Sequence, residues 1–238
     1  MAGKFIMLDG IDGSGKSTVM DAWRDFLAHR GRSVCDVRAW GKERGYLPTF
    51  ENVREAEVLI SAEPTHAWIG RAIREEIVKE GGDYSGMSIS QSFALDREVL
   101  YRRLIVPALA AGKIVLQERG ISTSLVYQPI QKKAVTLRRL VSLPGNTFAL
   151  DHRPDILLLM KMSPRQAMER IAGRFDKKDN SIFENLDFVT RAQKRFMSSS
   201  LRKLFECRGT EVRYFPAGLP LEEARREAEN LLTQIFSV

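Results

Sequence analysis

The chain has 238 residues, of which 44% are hydrophobic and 28% charged, with a formal net charge of +7. These values fit one globular α/β domain over residues 1–238, and no apolar run has the length of a membrane span or the form of a signal peptide. The two isolated cysteines, Cys35 and Cys207, are too few for a disulfide framework and indicate a cytoplasmic protein. Because basic residues mostly lie beside acids on predicted helices, the positive charge favours nucleotides as partners over nucleic acid.

The first predicted element, an apolar strand at residues 5–8, leads into a glycine-rich turn. The turn fits the phosphate-binding pattern G-x-x-x-x-G-K-S/T at every fixed position, and apolar residues at helical spacing follow it. Glycines let the backbone curl around a phosphate, while the start of a helix directs N–H groups at it. We therefore expect Lys16 to reach the β- and γ-phosphates of ATP and the Ser17 hydroxyl to bind Mg²⁺. The residues assigned to ATP are Gly10, Gly13, Ser14, Gly15, Lys16, Ser17 and Thr18.

Strands alternate with helices along the rest of the chain, which predicts a parallel sheet of five strands with helices on both faces. The predicted strands are residues 5–8, 33–37, 113–117, 155–160 and 211–215. After the helix that follows the turn, further helices are predicted at residues 66–79, 90–109, 121–142, 183–205 and 221–236, with Ser90 as one N-cap and Ser163-Pro164 opening another. Residues 39–58 do not follow this pattern and look weakly helical only from residue 50 to residue 60.

Two charged residues, Glu118 and Arg119, follow the predicted strand at residues 113–117. Ligands of open parallel sheets bind outside the carboxyl ends of the strands, so we expect this pair to face the phosphate-binding turn. Glu118 is then a candidate for binding Mg²⁺ through water. Phosphate binding alone does not separate a kinase from a switch or a motor.

Six stretches, in the right order, resemble the motifs of the thymidylate kinase family. Residues 5–18 resemble its opening FIxxEGxDGxGKST, and residues 63–74 resemble REPGGTxxGxxIR. The other four are residues 93–97 (FAADR), 107–113 (PALxxGK), 118–128 (DRYxxSSxAYQ) and 153–155 (RPD). The chain is thus similar to P-loop nucleoside monophosphate kinases through most of its length.

The resemblance implies a P-loop NTPase fold and phosphoryl transfer from Mg·ATP to a deoxynucleoside monophosphate, dTMP in the typical member. It implies that Phe93 stacks on the pyrimidine and Arg97 bonds its edge. Arg119 is implied to hold the acceptor's phosphate, Asp12 to face its sugar and phosphate, and Tyr127 to lie against the deoxyribose. The remaining acceptor-pocket residues implied are Pro64, Thr123, Ser124 and Gln128. Family members are usually homodimers.

The family also carries a mobile helical lid after its fourth strand, which corresponds to about residues 165–182 here. Its variants place a basic residue either in the phosphate loop or in the lid, and this loop has none at its variable positions, residues 11–14. The resemblance therefore makes Arg170 and Arg174 catalytic candidates, beside Lys16, Asp12 and Arg119.

The chain departs from the family pattern mainly near the acceptor pocket. It has Glu118 in place of Asp, Gly120 in place of Tyr, Ala62 in place of Arg, and Thr65-His66 in place of Gly-Gly. Residues 39–58 are extra, and we expect them to form a flap or pair of helices over the acceptor pocket. Loss of the aromatic side chain at Gly120 is expected to enlarge that pocket, so a modified or bulkier pyrimidine nucleotide stays open as the acceptor. A P-loop ATPase acting with DNA, and a kinase of another small molecule, are the alternative functions.

Overall fold

A parallel sheet of six strands forms the centre of the fold in the computed structural model, which describes residues 3–173, 182–183 and 185–236. The strands lie in the order β2-β3-β4-β1-β5-β6, and every neighbouring pair is parallel. The α/β class is confirmed, but the expected number of strands, five, is wrong. The strands are β1 (Lys4–Asp9), β2 (Val34–Asp36), β3 (Val58–Ala62), β4 (Ile114–Glu118), β5 (Ile156–Lys161) and β6 (Glu211–Pro216).

The strand that the sequence did not reveal is β3. Its five residues are all buried, so they show no alternation of apolar and polar side chains. A short, continuous apolar run cannot be assigned to a strand or a helix by periodicity alone. The pattern over residues 50–60 predicts a weak helix, and β3 begins within that range. In the structure β3 pairs with β4 from Val58 against Ile114 to Ala62 against Glu118.

Helices flank the sheet, and among the described residues none is long and apolar enough to cross a membrane. Two of them continue into π-helical turns at Ile73–Ile77 and Tyr101–Ile105, and a 3₁₀ turn lies at Glu51–Val53. The α-helices are α1 (Lys16–His29), α2 (Val37–Arg44), α3 (Trp68–Ala72), α4 (Gly86–Leu100), α5 (Val106–Ala110), α6 (Ile121–Tyr127), α7 (Leu137–Val141), α8 (Pro144–Asp151), α9 (Pro164–Ala172), α10 (Leu186–Phe196), α11 (Ser199–Glu206) and α12 (Leu221–Phe236).

Local capping and proline chemistry divide or shift three of the expected helices. α4 begins four residues before the predicted cap, because Ser85 accepts a hydrogen bond from the Ser88 amide, and Ser90 lies inside the helix. The helix expected at 121–142 ends at Tyr127, just before Pro129, and resumes as α7. The helix expected at 183–205 is interrupted at Ser198, whose hydroxyl caps α11.

Residues 39–58 do not form one unit. The helix α2 starts directly at the end of β2, where the Asp36 side chain accepts hydrogen bonds from the amides of Arg38 and Ala39. It ends at Gly45, whose φ of 71° is a left-handed conformation that favours glycine. The chain then passes through the 3₁₀ turn to β3, so the segment combines most of α2 with a return connection to the sheet.

A close contact between α4 and α8 depends on Gly145. A Cβ atom at this position would lie 1.9 Å from the carbonyl oxygen of Ala94, so the two helices approach more closely than any side chain allows. The next residue, Asn146, is fully buried and accepts a hydrogen bond from Arg97 on α4. The contact therefore helps to fix a residue that the sequence assigned to the acceptor site.

We expect Gly145→Ala to lower the free energy of unfolding by about 1–3 kcal/mol, because the added methyl group forces α4 and α8 apart. Urea denaturation followed by circular dichroism measures the loss. Gly218→Ala is the matched control, since a Cβ there would meet nothing closer than 3.6 Å. Equal stability of the two variants would contradict the close helix contact.

Candidate active site

The glycine-rich turn joins the carboxyl end of β1 to the N-terminus of α1, as the motif predicts. Gly13 has a φ of 77°, and a Cβ atom on it would lie 2.3 Å from the Ala167 carbonyl oxygen of α9. A side chain is excluded there both by the backbone conformation and by the neighbouring helix. Only glycine therefore fits this position of the loop, where α9 packs against it.

Lys16, the first residue of α1, is buried with 4% of its surface exposed. Its ammonium donates hydrogen bonds to the carbonyl oxygens of Gly10, at 3.0 Å, and Ile11, at 2.7 Å. Burial lowers the pKa of this ammonium to about 8, and the positive charge of Arg119 adds to the effect. A polyphosphate bound in the loop would reverse this shift by supplying negative charge.

A hydroxyl and a carboxylate meet beside the loop, at the ends of α1 and β4. The Ser17 hydroxyl lies 3.1 Å from both carboxylate oxygens of Glu118. They are brought together because β4 pairs with β1, with Glu118 opposite Leu8. Both are hard oxygen donors of the kind that Mg²⁺ prefers, so these residues fit a magnesium ion bound with phosphate.

Arg119 connects the end of β4 to the phosphate loop. Its guanidinium forms an ion pair with the Asp12 carboxylate and lies 3.9 Å from Asp9. Its backbone adopts a φ of 64°, which is rare for a residue with a side chain, and its amide donates to the Leu8 carbonyl at 2.8 Å. On the other side of Asp12, the Tyr127 hydroxyl donates to the second carboxylate oxygen at 3.1 Å.

The start of α6 is tied to the same place through Asp9, which is fully buried. Its carboxylate accepts hydrogen bonds from the hydroxyls of Ser122 and Thr123 and from the Gly10 amide. Three segments, the end of β1, the phosphate loop and α6, thus share one carboxylate. Thr123 belongs to this network as well as to the predicted acceptor pocket.

Three cavities surround the loop. A charged cavity of about 430 Å³ lies over Lys16, Ser17 and Glu118. An apolar cavity of about 320 Å³ and an aromatic cavity of about 480 Å³ each adjoin it. The apolar cavity shares Gly13 and Gly15 with the charged one. The charged and aromatic cavities share Asp12, Lys42, Pro64, His66, Arg74 and Arg119.

The aromatic cavity contains several residues that the sequence assigned to the acceptor. Phe93, Thr123 and Tyr127 line it, in addition to the shared residues Asp12, Pro64 and Arg119. Phe183 lines it too, and its ring centre lies 5.3 Å from that of Tyr127. The cavity therefore offers flat aromatic faces to a base and a cationic end next to the phosphate loop.

Arg97 is placed differently from what the resemblance implies. Only 1% of it is exposed, and it is not among the residues that line the aromatic cavity. Its guanidinium lies 2.6 Å from Glu63 and donates to Asn146 and, at 3.0 Å, to the Ser124 hydroxyl. Burial raises the pKa of Glu63, although the charge of Arg97 opposes this shift. Ser124 and Gln128 are buried as well, so the structure brings Phe93 to the cavity surface but not these three polar residues.

The structure also shows the surroundings of Gly120 and Arg170, two residues that the sequence singled out. A Cβ atom at Gly120 would lie 2.5 Å from Met7, which is fully buried in the core, so the absence of a side chain here does not enlarge the aromatic cavity. Arg170 lines the apolar cavity, where it donates to the carbonyl oxygens of Ala217, at 3.0 Å, and Leu219, at 3.2 Å. Arg174 and the rest of residues 174–181, which belong to the expected lid, lie outside the described residues.

Sequence reasoning missed several residues of the site. Arg38, Lys42, His66 and Arg74 all line the charged cavity. Arg38 follows the last residue of β2 by two positions, so the rule that ligands bind at strand ends would have found it. The apolar cavity carries no such signal, because Phe215, Ala217 and Leu219 are ordinary apolar residues that the end of β6 brings next to the loop.

Comparison with known proteins gives a consistent result. The family model for thymidylate kinase matches residues 48–227. A probable thymidylate kinase of Thermococcus gammatolerans is 31% identical, with 98% of this chain and 97% of the relative aligned. The thymidylate kinase of Caldicellulosiruptor saccharolyticus is 30% identical over 87% of this chain and 86% of its own, and that of a Synechococcus strain is 26% identical over 98% and 97%.

The lowered pKa of Lys16 predicts that ATP binding weakens above pH 8. Below pH 8 the ammonium is charged before ATP arrives, whereas above it a proton must be taken up, so the Kd should rise about tenfold between pH 7 and pH 9. Calorimetric titration with ATP over this range measures the effect. The Lys16→Met variant should bind more weakly and lose this dependence, and a flat profile in the unmodified protein would contradict the assignment.

Proposed function

The chain belongs to the thymidylate kinase family, and from this premise we propose that it transfers the γ-phosphoryl group of ATP to dTMP, forming dTDP and ADP. One observation carries the proposal. The apolar and aromatic cavities each share lining residues with one charged cavity that contains Lys16, and they share none with each other. A donor and an acceptor nucleotide can therefore bind with their phosphates meeting over the same loop.

The apolar cavity suits the adenosine of ATP. Phe215, Leu219 and Leu221 provide apolar surface, and the loop glycines lie at the end from which the phosphates would extend. Two backbone carbonyls hold the Arg170 guanidinium at this cavity. One of its nitrogens would lie 3.7 Å from a Cβ atom placed on Gly15, so the guanidinium is next to the loop. We assign Arg170 to the donor side, while a role of Arg174 in charge neutralisation remains a prediction.

We propose that Mg²⁺ binds between Ser17 and the ATP phosphates, with Glu118 holding it through water. The ion supplies positive charge that neutralises the phosphoryl group as it transfers. Lys16 would supply a second positive charge to the phosphates. Its buried ammonium is already held at the loop by the Gly10 and Ile11 carbonyl oxygens, next to the place where a β- or γ-phosphate would bind. The protein's main task is to hold both anions in line, since phosphoryl transfer needs little covalent help.

The aromatic cavity is the proposed acceptor site. A thymine ring would lie against Phe93, and the deoxyribose against Tyr127, whose hydroxyl is held by Asp12. The acceptor's phosphate would then point towards Arg119, which is rigidly placed by its backbone and its ion pair. Arg97, Ser124 and Gln128 are buried, and we propose that they contact the base from beneath the cavity surface. Arg97 follows Phe93 by one helical turn, so both lie on the same face of α4.

A kinase for a modified pyrimidine nucleotide is the second candidate function. It is favoured by His66, which lines the aromatic cavity at a position where the family motif has glycine. This side chain changes the polar groups that an acceptor meets. The homodimer that the resemblance implies remains a prediction, which gel filtration with light scattering tests. The cytoplasmic location that the two isolated cysteines indicate also remains a prediction, which cell fractionation tests.

ADP formation from Mg·ATP with a panel of acceptors tests the proposal. We expect fast turnover with dTMP, much slower turnover with dCMP, dAMP and UMP, and no turnover with Lys16→Met. A preference for a 5-substituted pyrimidine monophosphate over dTMP would select the second candidate. ADP release without an acceptor, stimulated by DNA, would instead identify a DNA-dependent ATPase and contradict both.

The proposed magnesium site predicts that Glu118→Gln raises the Mg²⁺ concentration for half-maximal activity about tenfold, because the variant loses the charge that holds the hydrated ion. The measurement is kcat against free Mg²⁺ at saturating ATP and acceptor. Glu57→Gln is the control, since this carboxylate is exposed and pairs with Arg32 at the other end of β3. An unchanged Mg²⁺ requirement in Glu118→Gln would remove Glu118 from the site.

A further inference from the structure

We infer that Lys42, carried by α2, binds the phosphate of the acceptor nucleotide. The inference rests on the proposed function and adds to it a residue that lies outside the quoted family motifs. α2 begins in the connection that follows β2, the edge strand of the sheet, so the extra segment of the chain reaches into the site rather than lying beside it.

α2 is held firmly in place at its first turn. The Arg38 guanidinium lies 2.7 Å from Asp36, 2.8 Å from Asp21 on α1 and 3.6 Å from Glu118 at the end of β4. This ion-pair network links α2 to two elements that carry the phosphate site. Only 10% of the Arg38 side chain is exposed, so solvent screens these pairs less than it screens a surface pair. The charge of Arg38 is therefore already balanced by carboxylates.

A second contact fixes the following turn of α2. Gly41 is buried, and a Cβ atom on it would lie 3.2 Å from the Cβ atom of His66. The helix also packs on β3. Lys42 therefore projects from a rigid element, because the contacts of Arg38 and Gly41 fix the helical turn that precedes it.

Lys42 itself faces the two cavities where they meet. It follows Arg38 by four residues, which puts both side chains on one face of the helix. It lines both the charged and the aromatic cavity, and it is solvent-exposed. Within the part of the chain that the structure describes, Lys42 makes no hydrogen bond or ion pair. Its ammonium is thus available to a ligand, in contrast to the guanidinium of Arg38.

The acceptor's phosphate is the ligand group that must occupy this junction. A nucleoside in the aromatic cavity lies against Phe93 and Tyr127, and its phosphate has to reach the γ-phosphate of ATP above Lys16. Arg119 stands at the same junction, but the Asp12 carboxylate offsets part of its charge. Arg74 lines the junction as well, with its guanidinium bonded to the carbonyl oxygens of Pro64 and Thr65. Lys42 would add a flexible cation to these two arginines. A lysine on a flexible stem can follow the phosphate as it gains a second phosphoryl group.

Removing the ammonium should weaken the acceptor alone. We expect Lys42→Met to raise the KM for dTMP about tenfold, the loss of one charge-assisted hydrogen bond, with the KM for ATP changed less than twofold. Lys42→Arg should restore most of the acceptor affinity, because it keeps the charge. In calorimetry, the same Lys42→Met variant should lose affinity for dTMP but bind thymidine, which has no phosphate, as well as the unmodified protein does.

Lys203→Met is the matched control. Lys203 is an exposed lysine on α11, which packs on β6 at the edge of the sheet opposite β2. The control loses the same charge, so an equal rise in the dTMP KM in both variants would reveal a general electrostatic effect and overturn the inference. An unchanged dTMP KM in Lys42→Met would also overturn it, while leaving the proposed function intact. Absence of dTMP turnover in the unmodified enzyme would instead contradict the proposed function, on which the inference depends.

Discussion

The ion pair between Arg119 and Asp12 is the interaction on which the site depends. It joins the end of β4 to the phosphate loop, at the boundary between the charged and aromatic cavities. Arg119 holds this position with a left-handed backbone, at a cost of about 1–3 kcal/mol. The cost is tolerated because β1 and β4 are paired and the Arg119 amide bonds to Leu8. A central pair of parallel strands thus delivers the cation that the acceptor phosphate requires.

The distribution of charge follows from the reaction. Two nucleotide phosphates repel each other, and three cations line the cavity where we propose that they meet: Lys16, Arg119 and Lys42. Carboxylates keep most of the arginines in place, as Asp12 does for Arg119 and as Asp21 and Asp36 do for Arg38. The two nucleosides bind farther out, where apolar and aromatic side chains line the cavities.

Much of this arrangement could be predicted from the sequence, and the family resemblance is confirmed. The phosphate loop could be predicted because its glycine and lysine pattern lies between a strand and a helix, and the Glu118–Arg119 pair because it lies at a strand end. β3 was missed because a strand buried on both faces has no alternation of polarity. The burial of Arg97 could not be predicted, because helical spacing from Phe93 gives the face of a helix but not the depth at which each side chain ends. The lining of the apolar cavity could not be predicted, because β6 approaches the loop only through the tertiary fold.

The central claim is that two nucleotides bind on opposite sides of one phosphate loop. A compound in which five phosphates join adenosine to thymidine tests it most directly, because it has to occupy both cavities and the loop at once. The measurement is steady-state inhibition against each substrate in turn. The account predicts competition with both ATP and dTMP, and an inhibition constant well below either KM. Competition with ATP alone, with dTMP binding undisturbed, would contradict it.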